Sequence, residues 1–537
     1  MSLAVTNHAH SHPTLSDLAN VHALPAELLR AIFIIIADTL VDNVGFKAPP
    51  CMFLSHVCGR WRAISLAYPE LWLTSLPRES LQWTQTCLSR CPSLPLKVDI
   101  DVRYSYIECL PEATALVMNH WSRVRELSMK PALYPADSGP GLSTESQDDL
   151  QELFGFLARP NNCLEKLEFD FSLDVGTMFD VWLPVYLPQD LFSTQPPPRL
   201  HELKLTRCSL PAAPPLHLFA PSLRTLELVN IRTWRDVDVM IQYLQAMPML
   251  ERFSYVLWKH EGEFDCRPSQ SHQPRCVHLP RLEDLGLQGF WLHNLTIFNY
   301  ISIPSHCRIT FDYRQWDQIG GVSETTVLAI MAIGRETLKQ HFAPATSHGA
   351  FYSLVKVADE AVCVNMPQEA GHGSDESAQL PTELRFYLPS TENDRISRAA
   401  FQLYLTQPVM TKATRLYFTA DAWRLCPEVF DEYTAVRELC LTEYDDVMAF
   451  TTALRLRGPS LFPALKRVVL IKLVVRVQAG PAFLRDLADA IQVAHVVGGS
   501  FECLELEHCY RITGDMEHDM RVILGSNRVV RNQPLRT

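Results

Sequence analysis

Hydrophobic and polar positions follow two different rhythms along the chain. In the N-terminal stretch LPAELLRAIFIII, Leu24, Leu28, Leu29, Ile32, Phe33 and Ile36 recur at helical spacing and share one stripe. Pro25 takes the first helical position, where a missing N–H costs nothing. CMFLSHVCGRWRAI repeats that logic: Leu54, Val57, Cys58, Trp61 and Ile64 share a face, while His56, Arg60 and Arg62 point elsewhere. The spacing predicts two amphipathic helices. Between them DTLVDNVGFKAPP, with Asp38, Asp42, Gly45, Pro49 and Pro50, reads as an exposed loop that ends one helix and delays the next. A stretch of roughly 50 residues thus holds more large apolar side chains than two or three short helices bury among themselves, so part of it faces a partner.

Beyond Trp72 the rhythm changes. SLQWTQTCLSRC spaces Leu81, Thr84, Gln85 and Leu88 as a short helix, and LPLKVDIDV alternates Leu96, Val98, Ile100 and Val102 as a strand. A motif then recurs in which an apolar residue is followed three and five places later by two more. It runs through Val124, Leu127 and Met129; Leu164, Leu167 and Phe169; Leu200, Leu203 and Leu205; Leu223, Leu226 and Leu228; Leu250, Phe253 and Tyr255; and Leu282, Leu285 and Leu287. It returns at Leu416 and Phe418, at Val436, Leu439 and Leu441, at Leu465, Val468 and Leu470, and at Phe501, Leu504 and Leu506. The last two residues of each motif sit on one face of a strand, and the first closes the turn leading into it. Between strands lie helix candidates: DVDVMIQYLQAM, with Val239, Tyr243 and Met247, and FLRDLADAIQVAHVV, with Leu484, Leu487 and Ile491. Gly498 and Gly499 close the second of these.

The alternation predicts an α/β fold of irregular repeats, because successive starts lie from 23 residues apart (Leu200 to Leu223) to 40 apart (Val124 to Leu164). Residues rich in Pro, Gly, Ser and charge interrupt it as surface loops: PALYPADSGPGLSTESQDD, STQPPPR, the stretch from Glu261 to Pro280, and MPQEAGHGSDESAQLP. From Ser302 to Pro381 no clear repeat stands out; SETTVLAIMAIGRETLKQHF reads as a helix and FYSLVKVADEAVCVNM as one or two strands, within degenerate repeats.

Composition narrows the partners. The net charge of −12 argues against a sequence-independent grip on phosphate backbones, so nucleic acid is not an expected partner. No uninterrupted apolar run exceeds the seven residues of Ala31–Ala37, against roughly 20 needed to cross a bilayer, so no membrane association is expected. The start lacks a basic segment followed by an apolar one, and an intracellular location, cytoplasmic or nuclear, is the expectation. Fifteen scattered cysteines read as free thiols acting as small buried hydrophobes. His8, His10 and His12 lie in a polar tail over residues 1–19.

Sites of chemistry are sparse. Cys266, His272, Cys276 and His278 are the densest set of ligand-type residues, but their spacing matches no paired zinc site, and no metal or other cofactor is expected. No H-E-x-x-H, G-x-S-x-G, G-x-G-x-x-G or phosphate-binding loop occurs. His508 and Cys509 are adjacent, yet neighbours in a strand or turn point to different sides, and Cys509 has a packing role. No catalytic residue is assigned.

One resemblance is specific. LP-x-E-L-L-x-x-I-F, a variable loop, L-S-x-V-C-x-x-W-x-x-I and P-x-L-W, carried by Leu24, Pro25, Glu27, Leu28, Leu29, Ile32, Phe33, Leu54, Ser55, Val57, Cys58, Trp61, Ile64, Pro69, Leu71 and Trp72, resemble the F-box of fungal proteins. The repeats resemble leucine-rich repeats, most closely at LHELKLTRCSL through Cys208 and Leu210 and at LELEHCYRITGD through Cys509, Ile512 and Thr513. Most others lack the Asn or Cys, which departs from a regular horseshoe. The resemblance implies an all-α F-box module over residues 20–75 and an irregular leucine-rich-repeat-like α/β solenoid over 76–537.

It further implies a non-catalytic substrate-recognition subunit of a Skp, cullin and F-box ubiquitin ligase. Leu24, Pro25, Leu28, Leu29, Ile32, Phe33, Leu54, Val57, Cys58, Trp61 and Ile64 would hold the Skp adaptor, and through it a cullin. In a leucine-rich arrangement the residues between the buried strand positions face the concave surface and would meet an unknown target protein: Lys166, Glu168, Glu202, Lys204, Thr225, Glu227, Glu438, Glu505 and Glu507. The alternatives are a non-degradative adaptor-binding scaffold, a repeat-only interaction protein with a vestigial F-box, and, disfavoured by the missing motifs, an enzyme in its own right.

Overall fold

A computed structural model describes residues 24–41, 49–73, 76–78, 80–101, 110–131, 133, 143–172, 185–188, 191–210, 218–231, 234–257, 264–312, 322–358, 361–368, 380–389, 393–474, 482–496, 499 and 501–532. The polar tail with His8, His10 and His12, the loop positions Asp42 and Gly45, Val102, Gly498 and most of MPQEAGHGSDESAQLP lie outside them. The chain forms two compact units, one of Met1–Thr177 with Pro197–Arg199, the other of Met178–Pro196 with Leu200–Thr537.

The first unit opens with helices α1 (Ala26–Val41), α2 (Pro50–Ser55) and α3 (Gly59–Ala67), then a 3-10 turn at Pro69–Trp72. The predicted second helix is thus two helices. His56 ends α2, and Cys58 leaves the helical path in an extended conformation and caps α3, its Sγ accepting from the Trp61 N–H at 3.4 Å. Gly59, a poor helix former, follows at the break. The helices α4 (Leu81–Arg90), α5 (Leu110–Met118) and α6 (Thr144–Leu157) alternate with strands β1 (Leu96–Asp101), β2 (Val124–Lys130) and β3 (Lys166–Asp170). β1 pairs with β2 and β2 with β3, all parallel. Helix α6 corrects the expectation that PALYPADSGPGLSTESQDD is loop throughout: TESQDD supplies polar and acidic residue types suited to a helix start, and Leu150 and Leu157 bury the far side.

In the second unit every strand motif predicted from the sequence forms. β5 (Glu202–Thr206), β7 (Thr225–Val229), β8 (Arg252–Val256), β10 (Asp284–Gln288) and β12 (Arg308–Asp312) pair in that order, all parallel. A small side ribbon joins β4 (Val185–Tyr186) to β6 (Cys208–Ser209), and another joins β9 (Val277–His278) to β11 (Ile301–Ser302). Leu203, Leu226, Phe253, Leu285 and Ile309 lie in register across the five main strands, each at most 1% exposed. A fully buried side chain of this size contributes about 1.5–3 kcal/mol, so the ladder is a main source of cohesion. A second ladder, Leu416, Leu439, Val468, Leu504 and Val529, joins β16 (Arg415–Tyr417), β17 (Glu438–Leu441), β18 (Arg467–Ile471), β19 (Cys503–Glu507) and β20 (Val529–Asn532).

Between the two arrays the sheet departs from simple repetition. The strands β13 (Phe351–Ala358), β14 (Ala361–Gln368) and β15 (Glu383–Tyr387) stand in reversed order, so the sheet reads β12, β15, β14, β13, β16. β14 is antiparallel to both its neighbours, while β15 is parallel to β12 and β13 to β16. The helix α9 (Glu324–Ser347), capped by Ser323 Oγ on the Thr326 N–H at 3.2 Å, carries the chain past two strand positions. At roughly 1.5 Å per residue it is long enough to do so. The hairpin hides a further copy of the strand motif, Tyr352, Val355 and Val357, all buried.

Helices connect the strands: α7 (Val237–Gln245), α8 (Trp291–Tyr300), α10 (Asp394–Leu405), α11 (Pro408–Thr411), α12 (Ala420–Leu425), α13 (Tyr444–Arg457), α14 (Ala482–Ile491) and α15 (Gly514–Leu524). Every residue of α8 is buried. The Pro-rich segment from Phe264 to Pro280 is fastened to α8, with the Ser269 N–H on Tyr300 Oη at 2.8 Å and the Arg275 N–H on the Asn299 carbonyl at 2.9 Å. At Gly289, just before α8, φ is +120°, and a Cβ would stand 2.0 Å from the Leu257 carbonyl oxygen, so the turn admits no side chain.

Candidate functional site

Two surfaces hold the residues singled out from the sequence. On α1 the predicted single stripe separates into two. Leu29, Phe33 and Ala37, spaced by four, are fully buried, whereas Leu28 is 52% exposed, Ile32 38% and Ile35 66%. Phe33 meets the half-buried Trp61 with ring centroids 4.7 Å apart, and Leu54 and Ile64 close the same small core. Cys58 is half-buried in its capping role. Leu29, Phe33, Leu54 and Ile64, expected at an adaptor contact, therefore hold the three helices together and present no surface for one.

The remaining expected residues are accessible. Leu24 is half-buried, Pro25 exposed and Val57 60% exposed. Phe53, 44% exposed, and Ile35 join them, although neither was singled out from the sequence. The signal was available: a helix with apolar residues at both i, i+4, i+8 and i, i+4, i+7 carries two stripes, and a thin bundle buries one. Around this surface the Arg30 guanidinium lies 4.5 Å over the Tyr68 ring and pairs with Glu70, and Arg60 donates to the Leu24 carbonyl. A cleft of about 250 Å³ in the same unit is lined by Ile34, Glu70, Leu73, Leu96, Lys97 and Arg125 among others. Its rim charges are largely neutralised within the fold, Lys97 by Glu126 at 4.0 Å and Arg125 by Glu165 at 2.7 Å.

The second surface is the polar face of the strands. Lys166, Glu168, Glu202, Lys204, Thr225, Glu227, Glu438 and Glu507 are half-exposed, with Glu168, Lys204 and Glu227 each between two buried neighbours, and Glu505 is nearly buried. In the first unit Lys166 stands beside Glu126 and Glu168 beside Ser128. In the second, Lys204 pairs with Glu227 at 3.6 Å, next to the neighbours Glu202 and Thr225. Glu438 lies between Arg415 at 2.6 Å and Arg467 at 3.2 Å; Arg467 also pairs with Glu505, which accepts from Asn532. The glutamates of this face are therefore offset across strands by Lys204, Arg415 and Arg467. β8, β10, β12, β15, β14, β13 and β16 stand between β7 and β17, so the Glu227 and Glu438 groups are roughly 38 Å apart at about 4.8 Å per strand.

The residues with reactive chemistry are engaged in local structure. His272 Nδ1 meets Asp238 Oδ1 at 3.0 Å, and Ser269 Oγ donates to the same oxygen at 2.5 Å. Both hydrogen bonds favour the charged form and hold the Asp238 carboxyl below its usual range. The combination of Ser, His and Asp lacks a relay geometry, because serine and carboxylate share one side of the ring and Ser269 Oγ accepts the His272 N–H at 2.8 Å as a turn anchor. Cys266 Sγ turns to the Phe264 carbonyl, and among the described residues no group of three or more His, Cys, Asp or Glu side chains is placed to hold a metal ion. Cys509 Sγ donates to the Leu470 carbonyl at 3.1 Å, and burial raises its pKa. Cys51, Cys87 and the buried Arg78 cluster beneath α2 and α4, where burial pushes the thiols up to about 12 and about 11, away from nucleophilic thiolate. No helix among the described residues is long and apolar enough to cross a membrane.

Comparison of the sequence with models of known protein families gives no match, and no curated protein matches it.

Proposed function

We propose that the N-terminal helices are an F-box-like docking module for a Skp-class adaptor of a cullin-based ubiquitin ligase, and that the repeat strands, as a degenerate leucine-rich-like solenoid, present a polar face to a target protein. The observation that carries this reading is the second apolar stripe. Leu28, Ile32 and Ile35 stay exposed along one side of α1, and Val57 after α2, although the core of the three helices is already closed by Leu29, Phe33, Leu54 and Ile64, and an exposed row of large apolar side chains on a small module suits an interaction surface. Leu28, Ile32 and Val57 also coincide with the spaced positions of the F-box resemblance. In this reading the chain brings a target to ubiquitin-transfer machinery carried by other subunits.

Affinity purification of the full chain from cells tests it. Recovery of the Skp-class adaptor together with a cullin supports a ligase receptor; recovery of the adaptor alone points to a scaffold, and recovery of neither removes the ligase assignment.

A further inference from the structure

The polar face of the second unit changes character where the sheet leaves simple repetition. Strands β13 and β14 contain a single charged residue, Lys356. Pairing sets Arg385, Cys363, Lys356, Tyr417 and Cys440 in register across β15, β14, β13, β16 and β17, with Leu354 beside Arg415. Lys356 is exposed between the buried Val355 and Val357, which turns it to the face shared with Arg415 and Glu438. Its ammonium lies 5.6 Å from the centre of the half-buried Tyr417 ring, and the Arg415 guanidinium lies 5.7 Å from the same ring. The two cations differ in their partners. Arg415 has Glu438 at 2.6 Å, Glu438 is shared with Arg467 at 3.2 Å, and Arg467 also holds Glu505, so these four charges balance. Arg385 is matched by Glu383 at 3.1 Å. Lys356 has the ring alone and makes no ion pair among the described residues. One positive charge is thus left over within this group, in a chain whose net charge is −12.

We infer that Lys356 anchors the target through one carboxylate: an Asp or Glu side chain of the target pairs with Lys356 beside the Tyr417 ring, and an apolar neighbour of that acid rests on Tyr417 and the half-buried Leu354. The inference rests on the polar face being the target surface and adds the place and the chemistry of the contact. A carboxylate completes what the fold leaves open, since two cations share one ring and only Arg415 has an anion of its own. The balance of charge also selects among anions. A single leftover positive charge matches a carboxylate, whereas a phosphorylated side chain carries about −1.5 to −2 at neutral pH and needs a second free cation.

The test pans a displayed library of random dodecapeptides on the purified full chain and measures the selected peptides by fluorescence polarisation. They should share an Asp or Glu beside an apolar residue. Lys356→Met should weaken the tightest of them roughly threefold and Lys356→Glu roughly tenfold, the scale of a solvent-open ion pair. Lys204→Met, on β5 of the same sheet and well away from β13, should leave binding unchanged. Lys356 is exposed, so melting of both variants should match wild type. Changing the peptide's acid to its amide should cost wild type as much as Lys356→Met does and cost Lys356→Met nothing further, which identifies the two groups as a pair. An equal cost in both proteins, or selected peptides with no acid in common, overturns the Lys356 anchor and leaves the polar face standing as a target surface. Tighter binding when phosphoserine replaces the acid overturns the assignment to a carboxylate. No peptide selected by the folded chain overturns the target-surface reading together with this inference. The Skp-class adaptor takes no part in the measurement, so its result is independent of the ligase assignment.

Discussion

Leu28 and Leu29 are consecutive in the chain and opposite in surroundings: Leu28 is 52% exposed on the outer side of α1, and Leu29 is sealed among the three N-terminal helices. Truncating them should separate stability from recognition. Leu29→Ala removes buried volume and should cost about 2–5 kcal/mol of the first unit's stability, while Leu28→Ala should stay within about 0.5 kcal/mol of wild type. Hydrogen exchange of the α1–α3 amides in the full chain reads the two effects directly.

Asn161 carries a second expectation. It is 3% exposed, and its amide donates to the Trp121 and Val124 carbonyls at 2.8 and 3.0 Å while its oxygen accepts the Cys163 and Leu164 N–H groups at 2.7 and 3.0 Å. This one side chain fastens the turn before β3 to the start of β2. Asn161→Ala leaves those buried backbone groups without it, and a loss of roughly 2–4 kcal/mol is expected. Faster amide exchange in β2 and β3, with the second unit unaffected, is the signature to look for.

Much of the strand scaffold was legible because the motif reports burial directly: Leu164, Leu167 and Phe169, like Leu223, Leu226 and Leu228, are at most 1% exposed. The reversed order of β13, β14 and β15 was not, since strand spacing specifies faces and carries no information on which neighbour a strand selects. Asn161 was silent as well, a single polar residue whose worth lies in four contacts set by tertiary placement. At the docking surface the positions were visible and their roles were not. Leu28 and Leu29 have the same side chain, and only the phase of the helix against α2 and α3 decides which one is buried.

The second unit should be sensitive to acid. His341 is buried against Phe298 and Phe342, and burial, with smaller contributions from the facing Arg275 and His306, lowers its pKa from 6.5 to about 3. His495 is lowered by burial too. For a histidine depressed in the fold, the unfolded chain binds the proton more tightly. Stability is therefore fully present above pH 6.5 and is lost as pH falls toward the folded pKa, for His341 on the order of 2 kcal/mol between pH 6.5 and 4.5. Urea melts of the full chain across that range should show the second unit weakening, and His341→Phe should flatten the slope.

The docking reading is tested most directly by isothermal titration of purified Skp-class adaptor into the full chain, wild type beside Leu28→Ala/Ile32→Ala. Both substituted side chains lie on the exposed stripe, so melting of either unit should be unchanged. Central, desolvated anchors dominate interfaces, and the double variant should lose at least roughly 2 kcal/mol, about thirtyfold in affinity. Equal affinity of the two proteins, with folding intact, would contradict the assignment of this stripe to the adaptor.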